Sequence, residues 1–275
     1  MKSIFDLEIR LDMKNEIEKF IHEVMEDDNA ALYEEDKHHQ RQYTTIIEAI
    51  DKMVFLKWKY RDTFMDVYEF LEYIGVDVEA ILYGGSTYIS EETFLMFLEF
   101  LINMYYLMKL EDIELSKKAV AIFENIPRIL EKMNYKIEEL EDRITIIKRD
   151  ADVDAVLETV PDNIASLLLE YNDYRIKDDI KAKKSILKSI DLYLDDNNKK
   201  IKKTIRGIDS VLVDTFETII NNMGINHQGK EEVYTSMNDE EKIKWYDKCF
   251  LLMLHGIRAI KVGEIKNERN ELIKK

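Results

Sequence analysis

Apolar positions recur at steps of three and four along most of this chain, the spacing that lines one face of a helix. Leu130, Met133, Ile137, Leu140, Ile144 and Ile147 form such a seam. It runs for under three heptads, too short for a free-standing coiled coil, so it predicts one arm of a packed helical hairpin. Ile201, Ile205, Ile208, Leu212 and Ile219 make a similar stripe, and Ile243, Tyr246, Phe250, Met253, Ile257 and Ile260 make a third. Around the middle of the third, CFLLML is apolar on every side, which predicts a helix at the centre of its bundle. No segment of useful length alternates with the period of a strand; TYIS (87–90) comes nearest.

The longest apolar run, FLMFLEFLINMYYLMKL (94–110), is shorter than the ~20 residues of a membrane span and holds Glu99 and Asn103 one turn apart. It reads as a core helix with one wet stripe in a soluble protein. Helix boundaries are marked sparingly. Ser90 with Glu91 and Glu92 is a helix start, where a hydroxyl and acids satisfy exposed amides. Asn238 with Glu241 resembles a capping box, and Pro127 and Pro161 each suit a first helical turn. GVDVEAILYGG (75–85) is a break enclosing a short helix. The expected fold is therefore all-α, a bundle of eight to ten helices. Its expected division is an N-terminal helical region (1–150) and a C-terminal bundle (161–275), parted near DADVDAVLETVPDN.

Composition agrees with long helices and few turns. The 275 residues include only 8 Gly and 2 Pro, against average usage of about 7% and 5%. One cysteine, Cys249, excludes an internal disulfide framework and fits a reducing cytosol. The opening MKSIFDLEIRLDMKNEIEKF scatters charge through its apolar residues and does not read as a signal peptide. A cytoplasmic location without a membrane partner is expected. The net charge of −16 opposes binding nucleic acid through the whole surface. Between Arg175 and Arg206, however, eleven basic residues meet five acids, leaving that stretch at +6 and the remainder at −22.

Chemical motifs are scarce. Glu35 and His38 have the Glu-x-x-His spacing that puts two ligands on one helix face, but a second copy is absent. His38 and His39 in their polar stretch, and His22 beside Glu18 and Glu26, read as surface positions. No metal and no cofactor are expected. Gly-x-Ser-x-Gly is missing, and YGGSTY (83–88) lacks the lysine of a phosphate loop. Cys249, inside CFLLML, reads as an inert core thiol.

Three segments of the C-terminal hundred residues do form a pattern: DDIKAKKSILKSIDLYLDD, IDSVLVDTFETIINNMGINHQGK and MNDEEKIKWYDKCFLLMLHGIRAIK. Asn221, Asn222, Ile225, Asn226, His227 and Gln228, then Trp245, Tyr246 and Asp247, carry it. The pattern resembles the C-terminal helical domain of bacterial abortive-infection or HEPN-like proteins. That resemblance implies an all-α bundle, often dimeric, acting in phage defence or toxin systems and sometimes as a metal-independent endoribonuclease. It would make His227, with Asn226, the catalytic pair. RNA would then meet the basic stretch through Lys183, Lys184, Lys199, Lys200, Lys202, Lys203 and Arg206. The sequence departs from the pattern where an arginine is expected, since Asn226 precedes His227 and Lys274 stands where a second histidine would.

His227 also has a plainer reading. Gly224 and Gly229 flank it, glycine is a common helix terminator, and an imidazole near a helix C-terminus complements its negative end. Two functions remain open. One is a defence-type ribonuclease or its degenerate relative. The other is a non-catalytic module that uses an apolar helix face for a homodimer or a protein partner. His255, near Arg258, reads as a core or interface residue on either account.

Overall fold

The computed structural model describes residues 13–26, 31–35, 41–83, 89–140, 143–197, 223, 225 and 236–273. Helices hold 72% of them, so the fold is all-α despite two small sheets. Ten α-helical segments fall among the described residues, within the expected range. They group into two compact units, residues 1–146 and 147–275.

The first unit contains α1 (Met13–Glu26), β1 (Ala31–Glu35), β2 (Arg41–Thr44), α2 (Ile46–Ala49), α3 (Val67–Tyr73), α4 (Val78–Leu82), α5 (Glu91–Leu110) and α6 (Lys117–Lys132). Strand β1 pairs antiparallel with β2, Ala31 opposite Thr44 and Glu35 opposite Arg41, with a bulge between Leu32 and Glu34. Helix α2 starts on the Thr45 hydroxyl and runs on into a π turn (Ile50–Val54) and a 3-10 turn (Phe55–Lys57). Ser90 caps α5 by accepting from the Thr93 amide, as its position promised.

Helix α5 is the core of this unit, with Phe94, Leu95, Phe97, Leu98, Phe100, Leu101 and Met104 buried. Among the described residues it is long and apolar enough to cross a membrane, yet half of its most apolar window is buried by protein. Its polar stripe is not a wet face. The Asn103 amide donates to the Ile144 carbonyl (2.8 Å) and accepts from the Ile144 N–H (3.3 Å). Glu99 accepts from the Thr145 hydroxyl and the Ile146 N–H, each at 2.9 Å. The two side chains complete the backbone bonding of an extended segment, which a buried edge requires.

That segment corrects the reading of residues 130–147 as one helical arm. Helix α6 ends at Lys132, and Asn134 takes a left-handed backbone (φ 64°) that terminates it. Then β3 (Tyr135–Leu140) pairs with β4 (Arg143–Lys148), which spans the unit boundary. Ile144, Thr145, Ile146 and Ile147 are β-branched and favour a strand, whatever their spacing from Leu130. Pro127 corrects a second expectation, for it lies inside α6, about three turns after the Ser116 cap, and not in a first turn. Glu35 belongs to strand β1 and not to a helix; His38 and His39 lie outside the described residues.

The second unit contains α7 (Ala151–Leu157), α8 (Asp162–Tyr171), a 3-10 turn (Tyr174–Ile176), α9 (Ile180–Asp196) and α10 (Asp239–Ile273). Asp150, Asp173 and Asp179 open the first, third and fourth by accepting from amides. Pro161 stands just ahead of α8. Asn238 and Glu241 form the anticipated reciprocal box before α10, at 2.9 and 3.0 Å. The core is Leu168, Leu187, Ile190, Tyr246, Cys249, Met253 and Ile257, gathered from α8, α9 and α10. Five of the six positions of the third seam, Tyr246 through Ile260, are buried there.

Candidate functional site

Polar chemistry in the second unit concentrates where α8, α9 and α10 meet. Lys183 points inward from α9 and is only 5% exposed. Its ammonium donates to Asp247 Oδ1 at 2.6 Å, and the Tyr171 hydroxyl donates to the same oxygen at 3.0 Å. The Lys183 Nζ lies 4.7 Å from the centre of the Tyr171 ring, and that ring stacks on Phe250 at 4.0 Å. Burial, then the Asp247 charge, raises the Tyr171 hydroxyl above its ordinary range. A phenol held in that state donates a hydrogen bond and cannot serve as a base. The cluster is a clasp between three helices.

Lys183 therefore corrects one expectation: it is buried and committed to Asp247, so it is withdrawn from any phosphate-facing surface. Lys184 is half-buried on α9. His227, Asn226, Lys199, Lys200, Lys202, Lys203 and Arg206 lie outside the described residues. Of the segment carrying the resemblance, Tyr246 is fully buried, Asp247 belongs to the clasp, and Trp245 packs partly against the core.

About two turns further along α9, Asp191 is 3% exposed with Oδ2 lacking a hydrogen-bond partner. Burial, then Asp195, pushes its carboxyl up to about 7. Across from it on α10, burial and then Asp191 push the Cys249 thiol up to about 12. A nucleophilic cysteine needs a lowered value and access to substrate. Cys249 has neither, in keeping with an inert core thiol.

The remaining feature is the outer side of α10. Leu251, His255, Arg258, Val262, Ile265, Arg269 and Leu272 step 4, 3, 4, 3, 4, 3. At about 100° per residue this seam lies opposite the buried one. Leu251, Val262, Ile265 and Leu272 are exposed on it, with Ile273 beside them. Arg258 is held by Asp152 of α7 at 2.8 Å. The buried positions of α10 stop at Ile260, so residues 261–273 continue for about 20 Å with no core residue among them. This second seam was readable at the same spacing as the first. Its three polar members, His255, Arg258 and Arg269, hid it.

The first unit offers a groove of about 280 Å³ between α1 and α6. Lys19, Arg128, Lys132, Glu16 and Glu23 line it with both signs of charge, so it selects no ligand charge. Among the described residues no group of three His, Cys, Asp or Glu side chains gathers as metal ligands. Comparison of the chain with protein-family models, characterised proteins and solved structures returned no match.

Proposed function

We propose that the chain is a helical protein-interaction module, working in a reducing cytosol, whose C-terminal unit presents the outer face of α10 to a protein partner. One observation carries the reading: α10 continues 13 residues past its last buried position while keeping apolar side chains in register and exposed. An isolated helix of that length is marginal in water, and aligned exposed apolar residues mark association surfaces. The buried part of the helix, locked by the clasp and by Arg258–Asp152, fixes the direction of residues 261–273, whose start still lies near Tyr193 of α9. The endoribonuclease reading rests on the resemblance and on His227, and the described residues add nothing to it: Lys183 is buried and Cys249 inert.

Photo-crosslinking tests the proposal. With Ile265→p-benzoylphenylalanine in the full chain, irradiation in cells at native abundance is expected to give a discrete covalent adduct. The same substitution at Lys188, on the exposed side of α9, is expected to give none. An absence of any adduct from position 265 contradicts the reading. In a parallel arm, RNA cleavage that survives EDTA and is lost in His227→Ala would favour the ribonuclease instead.

A further inference from the structure

We infer that the outer seam of α10 pairs with the same seam of a second copy of this chain, the two helices antiparallel and centred near Gly263. The inference rests on the reading of α10 as an interaction face and names its occupant. Charge carries it. The chain as a whole has a net charge of −16, which drives copies apart. Residues 261–273, by contrast, hold three bases (Lys261, Lys266, Arg269) and three acids (Glu264, Glu268, Glu271), a net of zero. Two copies can therefore approach along this segment without net repulsion.

The order of those charges selects the orientation. In a two-stranded coiled coil the residues flanking the seam meet across the interface and decide partner and direction. With the helices antiparallel, Val262 of each copy packs on Ile265 of the other. Lys261 of each then lies beside Glu268 of the other, giving two opposite-charge pairs. The same register sets Leu252 and His255 against Ile273 and Leu272 of the second copy, so the exposed apolar end of α10 is covered. The like charges that meet are Arg258 and Arg269, twice by symmetry, and each Arg258 is already answered by its own Asp152. A parallel arrangement also has two Arg–Arg contacts, and it replaces the two Lys261–Glu268 pairs with Lys261 against Lys266 twice. The sequence of charges disfavours it.

Sedimentation equilibrium on the full chain tests this. The wild type is expected to reach twice its 32.7 kDa mass. Lys261→Glu and Glu268→Lys should each weaken self-association by roughly tenfold, since two symmetric pairs become repulsive. The double swap should restore it. Val262→Glu with Ile265→Glu should leave a single chain that stays folded with an unchanged helical spectrum, because both side chains are exposed in the folded unit. A wild type that stays a single chain overturns the inference, as does a dimer that survives the double glutamate variant. Tightening by Lys261→Glu would overturn the antiparallel order. Failure here is separable from failure of the broader reading. A position-265 adduct at a mass other than twice the chain keeps the interaction module and removes only self-pairing, whereas no adduct removes both.

Discussion

Asp247→Ala is expected to lower the stability of the chain by about 3–5 kcal/mol, although the residue itself is 54% exposed. The damage falls on its partners. Lys183 is left as an ammonium with almost no access to water, and the Tyr171 hydroxyl loses its acceptor. A buried charge without a partner costs far more than the pair contributes. Lys183→Met should be much milder, about 1 kcal/mol, because the thioether fills the space of the lysine stem and Asp247 turns to solvent. Combining the two should therefore recover much of the loss seen in Asp247→Ala alone. Urea unfolding of the four proteins measures this cycle. Equal costs for the two single changes would mean that the clasp is solvated and that Lys183 is not buried as described.

The second large effect is a dependence on pH. The folded chain holds the Asp191 proton up to about 7, against the 3.8 of an ordinary carboxyl. Its raised value means that the folded state binds the proton more tightly than the unfolded chain does. The stability linked to it is complete below the unfolded value and is lost as pH rises through the folded one. A difference of about three pH units corresponds to on the order of 4 kcal/mol. Among the described residues, the groups that act on this carboxyl are Asp195 on its own helix and the Cys249 thiol on α10, and neither supplies a compensating positive charge. In Asp191→Asn the side chain is neutral at every pH. Its stability relative to the wild type should therefore climb from about pH 4 to about pH 7, the interval between the unfolded and folded values of Asp191, and level off above it. Parallel curves for the two proteins over that range would show that Asp191 is hydrated and ordinary.

Much of the architecture was legible because local signals and burial agree. Ser90, Asn238 with Glu241, and the seam from Tyr246 to Ile260 each needed only their own helix to be understood. The stretch from Leu130 to Ile147 failed because a spacing of three and four is also met by chance in a strand pair. The deciding facts there were Asn134 in a left-handed turn and a β-branched run, and beyond them Glu99 and Asn103 of α5. Those two looked like a solvated stripe because their acceptor and donors lie more than 40 positions away. Lys183 misled for the same reason. Its neighbours Lys181 and Lys184 suggest a basic surface, whereas its fate is set by Asp247, 64 positions on. Helix α10 shows the opposite case. Its inner seam was legible as core, whereas the outer one, at the same spacing, was hidden by His255, Arg258 and Arg269 until burial exposed it.

Hydrogen exchange at the backbone amides of residues 261–273 tests most directly whether that outer seam is a paired surface. If it is, these amides exchange slowly in the full chain, their protection rises with protein concentration, and Val262→Glu with Ile265→Glu abolishes it while leaving residues 246–260 unchanged. Rapid exchange of 261–273 at every concentration, the same in the wild type and the variant, would contradict the account.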